Sequence, residues 1–73
     1  MNYDKFLNDV KKYVEKNFSS GDRFELNELP FWGEVEHPTT FGKKFLEDVS
    51  EGKITELEAL PKSTDNHQWY RVK

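Results

Sequence analysis

A chain of 73 residues with a formal net charge of −3 has length for one domain and none to spare for a second. It contains no cysteine, which excludes disulfides and thiol chemistry, and no apolar run near the roughly 18 residues that a membrane-spanning helix needs. Six Phe, three Tyr and two Trp compensate for the small core of so short a chain, because large rings contribute much buried area per residue ordered.

Residues 2–17 read as the first helix. Phe6, Leu7, Val10, Tyr13 and Val14 fall on one stripe, Asn2 or Asp4 serves as its cap, and Lys5, Asp9, Lys11, Lys12, Glu15 and Lys16 make a mixed-charge, solvated outer face. The N-terminal stretch has no signal-peptide pattern, and with the absence of cysteine this gives the cytoplasm as the expected location. Phe18 is placed to fold back onto the stripe. Ser19, Ser20, Gly21 and Asp22 form a turn by composition. Residues 23–26 follow as a short strand, with Phe24 and Leu26 on one side and Arg23 and Glu25 on the other. Asn27 then reads as the N-cap of a brief helix over residues 28–31, where Pro30 sits in the first turn and its missing amide does little harm. Leu29, Phe31 and Trp32 form an apolar cluster at its end, with Trp32 as a lid, and residues 33–37 read as a loop.

The main helix comes next. Pro38 disfavours helix at His37, so the helix opens just after it, with Thr39 or Thr40 capping the first free amides. Phe41, Phe45, Leu46 and Val49 share one face, and Gly52 is a left-handed C-cap. Residues 54–60 read as a strand with Leu57 and Ala59 facing one way and Glu56 and Glu58 the other; Ile54 breaks the alternation and implies a bulge or a late start. Residues 61–66 form a loop with Asp65-Asn66 as its turn signal, and residues 67–72 return as a strand. A lone hairpin is marginal, so the early strand is expected to join it in a three-stranded antiparallel sheet. The order helix, strand, short helix, helix, strand, strand predicts a small α+β, winged-helix-like domain spanning residues 1–73, with the hairpin tip as the wing.

The residues Gly21-Asp22-Arg23-Phe24-x-Leu26-x-x-Leu29, then Trp32, then Gly42-Lys43-x-Phe45-x-x-x-Val49-x-x-Gly52-x-Ile54, and Asn66-x-x-x-Tyr70 carry a resemblance. The pattern resembles a family of short uncharacterised bacterial and phage proteins, a domain of unknown function, in which a GxxFxLxxL segment precedes a GRxF helix and a closing hairpin. The resemblance covers residues 20–72; Lys43 stands where the family more often has arginine. It implies a winged-helix-like domain without catalytic residues.

The residues themselves give no catalytic motif. His37 and His67 lie on different elements, no ligand spacing for a metal is present, and there is no nucleophile motif, phosphate-cradling glycine loop or dinucleotide fingerprint. Glu47, Asp48 and Glu51 on the main helix read as a solvated face. The expectation is a protein that is not an enzyme, with no cofactor, metal or small-molecule substrate. Nucleic-acid binding is the leading reading. A helix-turn-helix protein presents the start of its recognition helix to the major groove, and here that start carries Thr39, Thr40, Lys43 and Lys44. The wing adds Lys62 and Asn66, flanked by Ser63, Thr64 and His67, and the last strand adds Trp69, Arg71 and Lys73. Against it stand the net acidity and the run of Glu25, Glu28, Glu34 and Glu36, which make one end acidic. The rival is a protein–protein interaction module on the same scaffold that does not bind DNA and docks through that acidic end or an exposed Trp69. Strand alternation turns Trp69 outward if Tyr70 faces the core, or the reverse, and both arrangements are open.

Overall fold

The backbone N–H of Lys5 donates to Asn2 Oδ1 at 2.8 Å, so Asn2 supplies the acceptor that the free end of the first helix lacks. The computed structural model describes residues 1–62 and 67–73. In it, helix α1 runs Tyr3–Asn17 and buries Phe6, Val10 and Val14, with Leu7 and Tyr13 packed at the margins. Phe18 turns back as its spacing suggests, stacking on Phe24 at 5.3 Å between ring centroids. The Ser19–Asp22 turn closes by an Asp22 N–H bond to the Ser19 carbonyl, and Gly21 takes a φ of 94° that only glycine adopts cheaply.

Strand β1 is Arg23–Phe24, two residues shorter than the alternation suggests. Leu26 is buried like Phe24, but as the first residue of a 3-10 turn, Leu26–Glu28, rather than as the end of a strand. The expected helix over residues 28–31 is therefore displaced toward the N-terminus, and its cap residue is Glu25, not Asn27. The Glu25 N–H donates to Glu28 Oε2 at 3.2 Å, which bends the chain out of the strand. A second 3-10 turn, Trp32–Glu34, occupies part of the segment read as loop, and Val35 after it is buried.

Helix α2 runs Pro38–Ser50. Pro38 lies inside it as the first residue, where its fixed φ suits a helix and its missing N–H costs nothing. The cap position falls on His37, which makes no side-chain capping bond, so neither Thr39 nor Thr40 caps the helix. The C-terminus closes as read from Gly52. With φ 82°, its N–H donates to the Val49 carbonyl, and the Lys53 N–H donates to the Asp48 carbonyl at 2.9 Å, the paired bonds of a Schellman motif.

Strands β2, Leu57–Ala59, and β3, Tyr70–Val72, complete a three-stranded antiparallel sheet in the order β1-β3-β2. β2 starts late, as Ile54 implied, and Ile54 itself is buried beneath the turn that precedes the strand. Arg23 pairs with Arg71 and Phe24 with Tyr70 on one flank of β3; Leu57, Glu58 and Ala59 pair with Val72, Arg71 and Tyr70 on the other. The fold is a small α+β domain in the winged-helix-like order; the tip of the hairpin, read as the wing, falls on residues 63–66, outside the described residues. Both helices lie against the face carrying Phe24, Tyr70, Val72 and Leu57. Phe6 is the centre of the core, with Tyr3, Phe31, Trp32, Phe41 and Phe45 around it at centroid separations from 5.4 to 6.1 Å.

Candidate nucleic-acid interface

The start of α2 holds four of the nine predicted contact residues, and helix geometry divides them. Thr39 and Lys43 are one turn apart and share a face, while Thr40 and Lys44 are each rotated by about 100° from their neighbours. Thr39 and Lys43 line a cleft together with Leu46, Leu26, Asn27 and Lys62. Gln68 and Tyr70 complete it on the hairpin side. Lys62, at the near end of the wing, is thus brought to the lysine of α2. Tyr70 is 1% exposed, and burial pushes its hydroxyl well above the ordinary tyrosine range. No buried polar side-chain atom among the described residues lacks a partner.

Lys44 belongs to a different neighbourhood. Its Nζ lies 4.6 Å from the centroid of the Tyr3 ring, over its face. The Tyr3 hydroxyl in turn donates to Asp48 Oδ2 at 2.7 Å. Burial first, and the bond to Asp48 second, raise the Tyr3 hydroxyl far above its usual range. The acids of α2 are partly engaged. Lys53 reaches Glu51 at 3.2 Å and Asp48 at 3.9 Å, and the contact with Glu51 raises the Lys53 pKa.

The acidic stretch contributes one carboxylate to the cleft, that of Glu25. Its Oε1 is in direct contact with His67 Nδ1, which ties the far end of the wing to the turn after β1. Of the remaining predicted residues, Asn66 lies outside the described residues, as do Ser63 and Thr64. Trp69 and Arg71 sit on the outer face of the sheet, because Tyr70 and Val72 are buried on the inner one. Trp69 is half-buried and forms a shallow depression with Arg23, Leu60 and Pro61. Lys73 borders a separate groove between α1 and the hairpin, next to Lys11, Glu56 and Val72. The structure therefore gathers Thr39, Lys43 and Lys62, and distributes Thr40, Lys44, Trp69, Arg71 and Lys73 over other surfaces.

Asn27, Gln68 and Arg23 were not among the predicted contacts. Asn27 reads in sequence as a helix cap, which removes it from consideration. Gln68 has the same strand parity as Tyr70, a signal that places it on the helix side. Among the described residues no group of three or more His, Asp or Glu side chains is arranged to hold a metal ion, and no helix is long and apolar enough to cross a membrane.

No curated protein and no solved structure matches the chain. A family model does so over residues 8–71, from the second turn of α1 to the middle of β3. That stretch takes in most of α1, both 3-10 turns, α2, β1, β2 and the first two residues of β3, and the chain belongs to the family described as a domain of unknown function, DUF1413.

Proposed function

We propose that this domain is a non-enzymatic nucleic-acid-binding module that meets a duplex with the start of α2 and the base of the wing. The observation that carries the reading is the shared cleft of Thr39, Lys43 and Lys62, with Asn27 and Gln68 beside them. The two lysines supply charge for phosphates, Thr39 and Asn27 supply donors and acceptors, and Gln68, whose amide nitrogen donates to the Leu60 and Trp69 carbonyls, offers its amide oxygen. α2 opens without a side-chain cap, so its first amides and the positive end of its dipole add to the attraction for an anion. The competing carboxylate of Glu25 faces His67, and Glu47 and Glu51 lie farther along α2. The test is an NMR titration of labelled protein with a mixed-sequence DNA duplex at low salt, repeated at raised salt. Shifts concentrated at Thr39, Lys43, Lys62 and Gln68 that fade with salt are the expected result. A spectrum unchanged by millimolar duplex would remove the reading.

One observation favours the rival, a protein-interaction module. The groove between α1 and the hairpin is floored by the largely buried Val10, Val14, Leu57 and Val72, with the partly buried Phe18, between Lys11, Glu15 and Lys73. An apolar floor with a rim of mixed charge is the make-up of a protein contact surface. A negative duplex titration would move attention to this groove.

A further inference from the structure

Arg23 and Arg71 are direct cross-strand partners on the outer face of the sheet, and both are exposed. They occupy a non-hydrogen-bonded position, because the Val72 N–H donates to the Asp22 carbonyl just beyond them, and side chains stand closer there than elsewhere in the ladder. Arg71 is neutralised from its other flank by Glu58 at 3.2 Å. Arg23 has no ion pair or hydrogen bond from its side chain among the described residues. Like charges in direct register weaken a sheet, so Arg23, unlike the Glu58-paired Arg71, gains nothing for the fold from its charge.

Two residues before Arg71 on the same face, just ahead of β3, is Trp69, whose carbonyl accepts from the Leu60 N–H at 2.9 Å. The other aromatic side chains either belong to the hydrophobic core or pack against it, and Trp69 is outside that set. It makes no ring–ring contact among the described residues; it walls the open depression with Leu60, Pro61 and Arg23. An indole with an apolar neighbour on one side and an uncompensated guanidinium on the other has the composition of a base-stacking site with a phosphate contact.

We infer that the outer face of the sheet binds single-stranded nucleic acid, with Trp69 stacking a base and Arg23, beside Arg71, holding the adjoining phosphate. With Arg71 paired to Glu58, the uncompensated charge on this face is the guanidinium of Arg23, which favours an anionic ligand. The indole selects a single strand, since a duplex has no free base face along its length and an acidic peptide would leave the indole unused. The inference rests on the reading that the module binds nucleic acid, and it adds the form of the ligand and a second surface. The Lys43–Lys62 cleft lies on the helix side of the sheet, so the two surfaces can be tested separately.

The experiment is a titration of the full chain with fluorescein-labelled oligo-dT and with a labelled mixed-sequence duplex at low salt, following anisotropy and tryptophan emission. The variants are Arg23→Thr, Trp69→Leu and the pair Lys43→Glu with Lys62→Glu. Oligo-dT is expected to quench tryptophan emission. Arg23→Thr should weaken oligo-dT about tenfold while leaving duplex affinity unchanged and the melting temperature unchanged or higher, because a like-charge contact is removed. Trp69→Leu should abolish the quench and weaken oligo-dT at least about fivefold. Arg23→Thr decides the matter if the tryptophan variant does not fold. Oligo-dT binding that is indifferent to Arg23→Thr but lost with Lys43→Glu and Lys62→Glu overturns the platform and leaves the cleft standing. Failure of the wild-type chain to bind either oligonucleotide overturns both.

Discussion

Tyr3 and Asp48 are joined by a 2.7 Å hydrogen bond across 45 residues of sequence, which fastens the first turn of α1 to the C-terminal part of α2. The Tyr3 ring also meets Phe41 edge-on at 5.5 Å and carries Lys44 on its face. Tyr3→Phe keeps the ring contacts and removes only the bond to the carboxylate. The expected loss is about 1–2 kcal/mol, since bonds to charged acceptors are stronger than neutral ones and this one is half-shielded from water. Urea denaturation of the two proteins measures it. Equal midpoints would show that the clasp contributes nothing to stability.

The raised pKa values of Tyr3 and Tyr70 make stability depend on alkaline pH. In the unfolded chain tyrosine ionises near pH 10, whereas in the folded chain Tyr70 and Tyr3 hold their protons to higher pH, through burial in both and through Asp48 as well in Tyr3. Below about pH 10 both states are protonated and the stabilisation is fully present. Above it the unfolded state loses protons first, so stability falls as pH climbs toward the folded values, by up to about 1.4 kcal/mol per pH unit for the buried Tyr70 and by less for Tyr3, which water screens. Urea midpoints should be steady with respect to these groups up to about pH 9 and then decline. Tyr70→Phe should make the decline shallower; an unchanged slope would mean that Tyr70 titrates as a free tyrosine.

Phe6 is the single side chain on which the core depends most. It is fully buried and touches five rings drawn from α1, the segment between the 3-10 turns, the second of those turns and α2. Phe→Ala at such a site costs about 3–5 kcal/mol. A domain of this size has a total of roughly 4–11 kcal/mol, so Phe6→Ala should leave a protein that is largely or wholly unfolded at body temperature, and Phe6→Leu one that melts at an intermediate temperature. Circular dichroism melts decide it. A Phe6→Ala protein that melts within a few degrees of wild type would mean that the surrounding rings collapse into the space.

Much of this architecture was readable in the residues, for local reasons. The stripes of α1 and α2, the Asn2 cap and the Gly52 stop depend on periodicity and on single-residue backbone preferences, and all four are present. Alternation likewise puts Tyr70 and Val72 on one face, but it leaves open whether that face or the one with Trp69 is the inner one; the burial of Tyr70 and Val72 in the structure decides it. The region after β1 is not legible in the residues, because Phe24 and Leu26 are two apart and both apolar, a pattern that a strand and a strand followed by a 3-10 turn satisfy equally. The bond from the Glu25 N–H to Glu28 decides between them, and nothing in a strand template contains it. The strands are shorter than their alternation because the ladder stops where partners run out, a non-local matter. The candidate site shows the same division. Lys43 and Lys44 look like one basic patch in sequence, yet the helix turns them toward different neighbours. That Lys62 would reach Lys43 depends on how the hairpin crosses α2, which no local pattern records.

This separation of adjacent lysines gives the sharpest test of the proposed interface. Lys43→Glu places a carboxylate in the cleft beside Lys62 and should weaken duplex binding and lower the salt slope by about one. Its effect on stability should be small, because Lys43 is exposed. Lys44→Glu should do the opposite. It sets a negative charge against the face of Tyr3, near Asp48, so the cation–π contact of up to about 1 kcal/mol is lost and a repulsion replaces it. Duplex binding should change only through the general loss of positive charge, and its salt slope by less than that of Lys43→Glu. Anisotropy titrations at several salt concentrations, with urea denaturation of the same samples, give both numbers for each variant. If both substitutions reduce binding equally, α2 meets the duplex with its open side rather than with the cleft, and the assignment of Thr39, Lys43 and Lys62 as one contact surface fails.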